Sequence, residues 1–257
     1  MRPAGITFFR TTIGFIVLTA IPGSRRPIVT TDRWRVALLG AIWLAIPMSM
    51  FPFAEQHVSS AVTGLLNGAT PLLVAVVAAG YARAMPTRRV RAALAVGLFG
   101  AVLIALPNLR DGRSTAWGIS LVISALCFYG FAINLAGPLQ QRNGALPVIW
   151  RAVGMAAVLT APTGIGPVLD ANWTTASFLS MLVLGALGTG IANVLVATAA
   201  GRTSATSASA MGFIIPAVSL FLGIVVRSER VPGASMIGGA ICVVGALLLA
   251  RARHESS

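Results

Sequence analysis

The chain of 257 residues is 56% hydrophobic and only 10% charged, and its mean hydropathy is +0.86. So few polar side chains cannot cover a water-soluble protein of this length, which excludes a soluble enzyme or a soluble binding domain. All 19 basic residues are arginines, against 6 acidic residues, and most lie in short clusters between apolar runs. This placement indicates lipid head groups rather than nucleic acid as the partner. We therefore predict an all-α, polytopic membrane helix bundle in a lipid bilayer.

Continuous apolar runs of about 20 residues predict nine transmembrane helices. In chain order they lie near residues 5–22, 36–53, 58–81, 90–106, 116–136, 147–169, 178–200, 203–226 and 234–250. We interpret them as helices rather than barrel strands because their apolar residues are continuous and do not alternate with polar ones. The connections between them are too short to hold a separate soluble domain.

The arginines also predict the orientation of the bundle. Two clusters flank the first and third connections, which lie on the same side because two spans separate them. The clusters are Arg25, Arg26, Arg33 and Arg35, and Arg83, Arg88, Arg89 and Arg91. Positively charged connections remain in the cytoplasm. We therefore predict a multi-pass protein of the cell (cytoplasmic) membrane whose C-terminus is cytoplasmic.

The sequence contains an internal duplication. Three landmarks recur at a constant shift of 145 residues (185 − 40), and two earlier ones recur at a shift of 141 residues (151 − 10). The pairs are Leu39-Gly40-Ala41 and Leu184-Gly185-Ala186, Pro71 and Pro216, Gly100-Ala101 and Gly245-Ala246, Arg10 and Arg151, and Leu18-Thr19-Ala20 and Leu159-Thr160-Ala161. We predict two homologous repeats, at residues 1–107 with four helices and at residues 114–251 with five.

The two repeats differ at their starts. The second opens with the predicted span at 116–136, whose counterpart in the first would lie upstream of residue 1. We expect a further helix there, which gives five helices per repeat and ten in all. An odd number per repeat inserts the two halves in opposite senses, which is the usual construction of secondary transporters with a binding site at the midplane.

Two stretches of the chain carry a family resemblance. The segment from Phe53 to Leu73, with Asn67 and Pro71 near its end, resembles the third-to-fourth helix signature of the EamA-type drug/metabolite transporters. A matching pattern at 203–216, followed by 228–230 and a closing segment with three glycines, is similar to that family in the second repeat. Two features differ from the family pattern, namely the absent opening helix and an alanine, Ala84, where an acidic residue is expected.

The resemblance implies a ten-helix secondary transporter without a cofactor. Members carry small metabolites, amino acids or drug-like compounds, often as exporters, through a cavity between the two halves. A non-transporting membrane scaffold is the alternative function, because the expected first helix is absent. A membrane-embedded enzyme needs a nucleophile beside a histidine, paired carboxylates or a metal cluster. The only histidines are His57 in a connection and His254 in the tail, so we predict neither an enzyme nor a metal site.

Polar and aromatic side chains inside the spans are the candidate substrate residues, because a membrane span holds a polar group only where a partner or a cavity receives it. Interhelical hydrogen bonds and core packing are the competing interpretations. The candidates are Trp43, Asn67, Tyr129, Asn134 and Asn193.

Arg10 and Arg151 form the most specific pair of candidates. They are equivalent in the two repeats, so in inverted halves they would lie near opposite faces, where either could attract an anionic or zwitterionic substrate. Alternatively, each long side chain extends to the head groups. Glu55 and His57, at a span end, are the only titratable pair close to a cavity mouth and are the candidates for proton coupling. Uniport and exchange remain open.

Overall fold

The computed structural model describes residues 2–82, 87–110, 115–195, 216, 218–226 and 228–254. All regular structure in these residues is helical, which confirms the predicted all-α class. The elements are α1 (Pro3–Ala20), α2 (Arg33–Leu39), the π-helical segment π1 (Gly40–Ala45), α3 (Ile46–Ala54), α4 (Ser60–Asn67), α5 (Thr70–Ala82), α6 (Arg88–Arg110), α7 (Ala116–Asn143), α8 (Ala145–Leu169), α9 (Thr175–Val183), the π-helical segment π2 (Leu184–Ile191) and α10 (Gly233–His254).

Seven spans of the described residues are long and apolar enough to cross a membrane, and α4 with α5 forms an eighth if this bent pair is one span. Eight of the predicted apolar runs coincide with these spans. The predicted span at 58–81 is the bent pair, in which the chain changes direction by 40° between α4 and α5. The predicted span at 203–226 lies largely outside the described residues.

The helices form two compact units. The first unit comprises Met1–Pro52 and Ala132–Arg202, and the second unit comprises Phe53–Phe131 and Thr203–Ser257. Each unit therefore contains segments from both sequence repeats. In the first unit, α1 packs against α8 and π2, while α8 also packs against π1, so equivalent helices of the two repeats lie side by side.

Two apolar clusters form the core of the first unit. One joins α1, π1 and α8 through residues that include Leu18, Leu44 and Val153. The other joins α2 to the C-terminal part of α7, where Val36 and Leu39 contact alanines and a leucine of α7. Both clusters consist of aliphatic side chains with few polar atoms, so van der Waals packing holds these helices together in the membrane.

A buried carboxylate connects the end of α7 to the start of α2. The side chain of Asp32 is 0% exposed and accepts a 2.8 Å hydrogen bond from Asn143 Nδ2. Its other oxygen lies 3.4 Å from Arg142 Nη1 and 3.9 Å from Arg35 Nη1. Asn143 Oδ1 in turn accepts a 2.8 Å bond from Val29 N, so this network fixes the connection that leads into α2.

The second unit centres on the crossing of α6 and α10. A Cβ atom added at Gly100 would lie 2.6 Å from Cys242 N and 2.7 Å from Gly238 O. Cys242 Sγ donates a 3.4 Å hydrogen bond to Gly97 O, and Ser235 Oγ donates a 3.0 Å bond to Ile104 O. Small residues allow the two backbones this close approach, which is a common way of packing helices in membranes.

Candidate functional site

Both repeats contain a π-helical segment at the same place. π1 begins at Gly40 and π2 includes Gly185, its equivalent at the shift of 145 residues (185 − 40). π-Helical turns are rare and often accompany functional sites, because they loosen the regular hydrogen bonding of a helix. Nothing in the residue pattern predicts them, so the sequence alone did not indicate these segments.

Each π-helical segment has a glycine against a helix of the other repeat. A Cβ added at Gly40 would lie 2.6 Å from Ala152 O and 2.8 Å from Met155 Cβ of α8. A Cβ added at Gly185 would lie 2.7 Å from Ile13 Cβ of α1. These distances are shorter than van der Waals contact, so both positions require the absence of a side chain.

Two of the predicted site residues meet at π2. Arg10 Nε, near the middle of α1, donates a 2.9 Å hydrogen bond to Thr189 Oγ1. Asn193 Nδ2 donates a 2.8 Å bond to the main-chain oxygen of the same threonine. Thr189 is 0% exposed and was not predicted, since a threonine within an apolar run carries no distinctive signal. We name Arg10, Thr189 and Asn193 the π2 polar cluster.

A row of buried hydroxyl groups lies between α1 and its neighbours. Thr7 Oγ1 donates a 3.0 Å bond to Met48 O of α3, and Thr11 Oγ1 donates a 2.9 Å bond to Thr7 O. The hydroxyls of Thr11 and Thr160 lie 3.4 Å apart across the contact of α1 with α8. Threonines satisfy their hydroxyls on the helix backbone in this way, so the row is compatible with an apolar surrounding.

Arg151 has different surroundings from its equivalent Arg10. Its Nη1 donates bonds to Pro147 O at 3.1 Å and to Ser24 O at 3.5 Å. Its guanidinium carbon lies 4.9 Å from the centre of the Trp150 ring. The Trp150 indole nitrogen donates a 2.7 Å bond to Thr19 Oγ1. These partners lie near the start of α8 and the end of α1, so Arg151 is bound at one end of the unit.

Two further predicted residues lie in the first unit. Trp43, in π1, is half-buried and packs against both apolar clusters described above. Asn134, in α7, is half-buried. By the 145-residue shift, Trp43 is equivalent to Gly188 and Thr189 is equivalent to Leu44, so neither side chain has a counterpart of its own kind in the other repeat.

The remaining predicted residues lie in the second unit. Asn67 ends α4 at the 40° bend, and the Thr70 hydroxyl donates to its Oδ1 at 2.8 Å and to its main-chain oxygen at 2.7 Å. Tyr129 is half-buried in α7. Glu55 and His57 are exposed in the turn after α3, outside the helices.

The second unit also contains a carboxylate with a role that the sequence did not indicate. Glu229 accepts bonds from Ser60 N at 3.1 Å and from Ala61 N at 2.8 Å, the first residues of α4. A carboxylate at a helix N-terminus satisfies unpaired amides and interacts favourably with the helix dipole. Ser59 adds a further cap, since its Oγ accepts a 3.3 Å bond from Val62 N. Glu229 is therefore a structural residue for α4.

Comparison with known proteins identifies the family. The EamA-like transporter family matches residues 1–106 and 116–251, which together make up most of the chain. The chain belongs to the EamA-like transporter family. The predicted resemblance is thereby confirmed, and the protein is a membrane transporter built from two EamA repeats within the drug/metabolite transporter superfamily.

Two known proteins are similar to this chain. A protein of Streptantibioticus cattleyicolor (strain ATCC 35852 / DSM 46488 / JCM 4925 / NBRC 14057 / NRRL 8057), named "Probable terminal-alkyne amino-acid exporter", is 28% identical over 255 residues, covering 96% of this chain and 84% of that protein. A solved crystal structure matches 100% of this chain and 90% of its own chain with a TM-score of 0.69 and 20% identity. The structural match shows a shared fold.

Proposed function

We propose that this transporter is a secondary exporter of small amino-acid-like metabolites in the cytoplasmic membrane, with Arg10 binding the substrate carboxylate. The observation that carries the proposal is the position of the Arg10 guanidinium, which lies near the middle of a span and is held by Thr189 of π2. The 28% identical relative named as an amino-acid exporter supports the substrate class.

The chemistry of the π2 polar cluster fits a carboxylate. The bond from Nε to Thr189 orients the plane of the guanidinium, and an arginine so oriented recognises carboxylates through paired N–H donors. A carboxylate is the anionic group of an amino-acid-like substrate, and a charged partner lowers the high cost of an ionised group at this depth.

The other predicted residues complete the proposal. We assign Trp43, Asn134 and Asn193 of the first unit to the walls that a substrate contacts. Asn67 and Tyr129 of the second unit are proposed separately as substrate-contacting residues. The repeats are proposed to insert in opposite senses, so that their rocking exposes the site to each side in turn. Exchange and uniport fit the chain as well as proton coupling does, because Glu55 and His57, the proposed proton pair, are exposed and lie outside the helices.

The test is counterflow in proteoliposomes that contain the full chain and a radiolabelled α-amino acid. Three competitors are compared, namely the amino acid, its deaminated carboxylic acid and its decarboxylated amine. The carboxylate-binding role of Arg10 predicts that the two carboxylates inhibit and that the amine does not. The Arg10→Gln variant should lose this discrimination.

Two variants of Thr189 distinguish a transport defect caused by a misplaced Arg10 side chain from one caused by a misfolded protein. Thr189→Val has nearly the same shape but removes the hydroxyl that Arg10 contacts, so it should raise the KM for the amino acid. Thr189→Ser keeps the hydroxyl and should restore the KM. An absence of flux with folded wild-type protein would favour the scaffold alternative, and equal inhibition by the amine would exclude carboxylate recognition.

A further inference from the structure

The first unit contains a second cationic site, separate from the π2 polar cluster. A pocket of about 770 Å³ is lined at one end by Arg25, Arg33 and Arg151. Arg25 lies after the end of α1, Arg33 starts α2, and Arg151 lies in the second turn of α8. The three arginines therefore come from three separate segments and meet at the same end of the helices.

Among the residues that the structure describes, no carboxylate lines the pocket to balance the charge of these arginines. Asp32, the nearest acidic residue along the chain, contacts Arg35, Arg142 and Asn143. The bonds of Arg151 and Arg25 go to main-chain oxygens, which accept hydrogen bonds but carry no net charge. The pocket thus has three positive charges at one end, which an anionic ligand would neutralise.

Apart from Thr12, the rest of the pocket is lined by apolar residues, and it is elongated. Its wall continues from the arginines along α1 and α8 to Phe8 and Ala161, past Phe15 and Met155. Phe8 lies 12 residues before the end of α1 at Ala20, which corresponds to about 18 Å along a helix axis. One end is therefore cationic while the other reaches the middle of the span, as a ligand with an anionic head and an apolar tail requires.

The surroundings of the pocket indicate that it opens toward lipid. Val158, which lines it, is 67% exposed, and the nearby Ile16 and Leu159 are 57% and 48% exposed. Val158 and Leu159 lie in the middle part of α8, and Ile16 lies in the C-terminal half of α1, within helices whose exposed surface meets hydrocarbon in a bilayer. An acyl chain can therefore enter the pocket sideways from the bilayer.

We propose that this pocket binds an anionic phospholipid, with its phosphate at Arg25, Arg33 and Arg151 and one acyl chain along α1 and α8. Basic pockets between transmembrane helices on the cytoplasmic side recognise such head groups. Trp150 stabilises the cationic end, since its ring stacks on Phe15 with centroids 5.5 Å apart and lies beneath the Arg151 guanidinium. This site is independent of the proposed transport function.

Native mass spectrometry of the delipidated full chain tests the proposal with phosphatidylglycerol and phosphatidylcholine of the same acyl chains. We expect wild-type protein to retain phosphatidylglycerol preferentially. Arg25→Gln with Arg33→Gln removes two exposed charges of the pocket and should weaken phosphatidylglycerol binding by about 30-fold. The control, Arg88→Gln with Arg91→Gln, removes two exposed arginines at the start of α6 and should leave the affinity within about threefold of wild type.

Two further measurements separate a lipid from other anions. Ala161→Trp fills the apolar end without changing any charge, so it should also weaken phosphatidylglycerol binding, whereas a pocket for free phosphate would be unaffected. Inorganic phosphate in solution should not displace the lipid. Equal losses in the two arginine variants, equal retention of both lipids, or displacement by inorganic phosphate would each overturn the proposal.

Discussion

The two equivalent spans α2–π1 and α9–π2 share a backbone irregularity but differ in almost every contact. Both change from α-helix to π-helix within one residue of the same place in their repeats. In α2, Val36 and Leu39 are buried against α7, whereas none of the nine residues of α9 is buried. The backbone geometry was therefore kept after the duplication while the packing of the two spans diverged.

The polar residues differ in the same way. Leu44 of π1 is buried in an apolar cluster, and its equivalent Thr189 of π2 accepts a bond from Arg10. Asp32, before α2, is buried and holds α7, whereas its equivalent Ser177 is exposed and takes part only in the capping box of α9. This comparison indicates that the first span serves mainly for packing and that the second presents polar atoms to its neighbours.

The largest effect is expected at the start of α2. Asp32→Ala removes the acceptor of Asn143 and the counter-charge of Arg142, so the free energy of unfolding should fall by about 3 kcal/mol. Titration with a denaturing detergent measures this change. Arg35→Gln is the control and should cost less than about 1 kcal/mol, since this arginine is 46% exposed and 3.9 Å away. Similar losses in both variants would contradict the assigned role of Asp32.

Substitution of the two equivalent arginines, Arg10 and Arg151, tests whether they contribute differently to transport. Arg10→Gln should lower kcat/KM for an amino acid by about 30-fold, which corresponds to the loss of a charged hydrogen bond of about 2 kcal/mol. Arg151→Gln should have a smaller effect, because its partners are main-chain oxygens at one end of the unit. Counterflow rates over a range of substrate concentrations provide the comparison. A larger loss in the second variant would reverse our assignment of the two arginines.

A third prediction concerns the glycines of the π-helical segments. Gly40→Ala places a Cβ 2.6 Å from Ala152 O, so overpacking should lower the free energy of unfolding by about 1.5 kcal/mol. Gly188→Ala is the matched control in π2, where the nearest atom, Leu184 Cδ1, would lie 3.4 Å away. This second variant should leave stability unchanged or raise it slightly. Detergent denaturation measures the free energy of unfolding of both variants. Equal values would show that the close contact at Gly40 relaxes without an energetic cost.

The smallest effect is expected at the N-terminus of α9. Thr174 Oγ1 accepts a 3.2 Å bond from Ser177 N, and Ser177 Oγ accepts a 3.0 Å bond from Thr174 N. Thr174→Ala should lower the free energy of unfolding by about 1 kcal/mol, and Thr174→Ser should not. Hydrogen exchange of the α9 amides is the appropriate measurement, because an exposed cap acts locally. A fall in the free energy of unfolding as large as that of Asp32→Ala would contradict the proposed difference in packing between the two spans.

Composition and hydropathy predicted the helical class, and apolar runs located most of the spans, because a bilayer requires about 20 continuous apolar residues per helix. The duplication was visible because Gly40 and Gly185 each need a close backbone approach and so keep their residue type. Arg10 and Asn193 were found among the candidates because charged or amide groups are rare within apolar spans.

Other features could not be read from the sequence. The π-helical segments depend on tertiary packing and have no residue signature, and Thr189 became notable only through its contact with Arg10. The span at 58–81 is continuous in hydropathy, so its bend after Asn67 was not predicted. Glu229 is far from Ser60 along the chain, and only the fold brings its carboxylate to the start of α4.

The interlocked backbones of α6 and α10 limit how the second unit can move. A Cβ added at Gly245 would lie 2.5 Å from the Gly97 backbone, and one added at Gly238 would lie 2.7 Å from Gly100 O, so the two backbones come into close contact at both positions, two turns apart. Sliding or rotation of one helix against the other would force backbone atoms into collision. The two helices therefore move together as one rigid body, and a conformational change during a transport cycle must occur at other helix contacts.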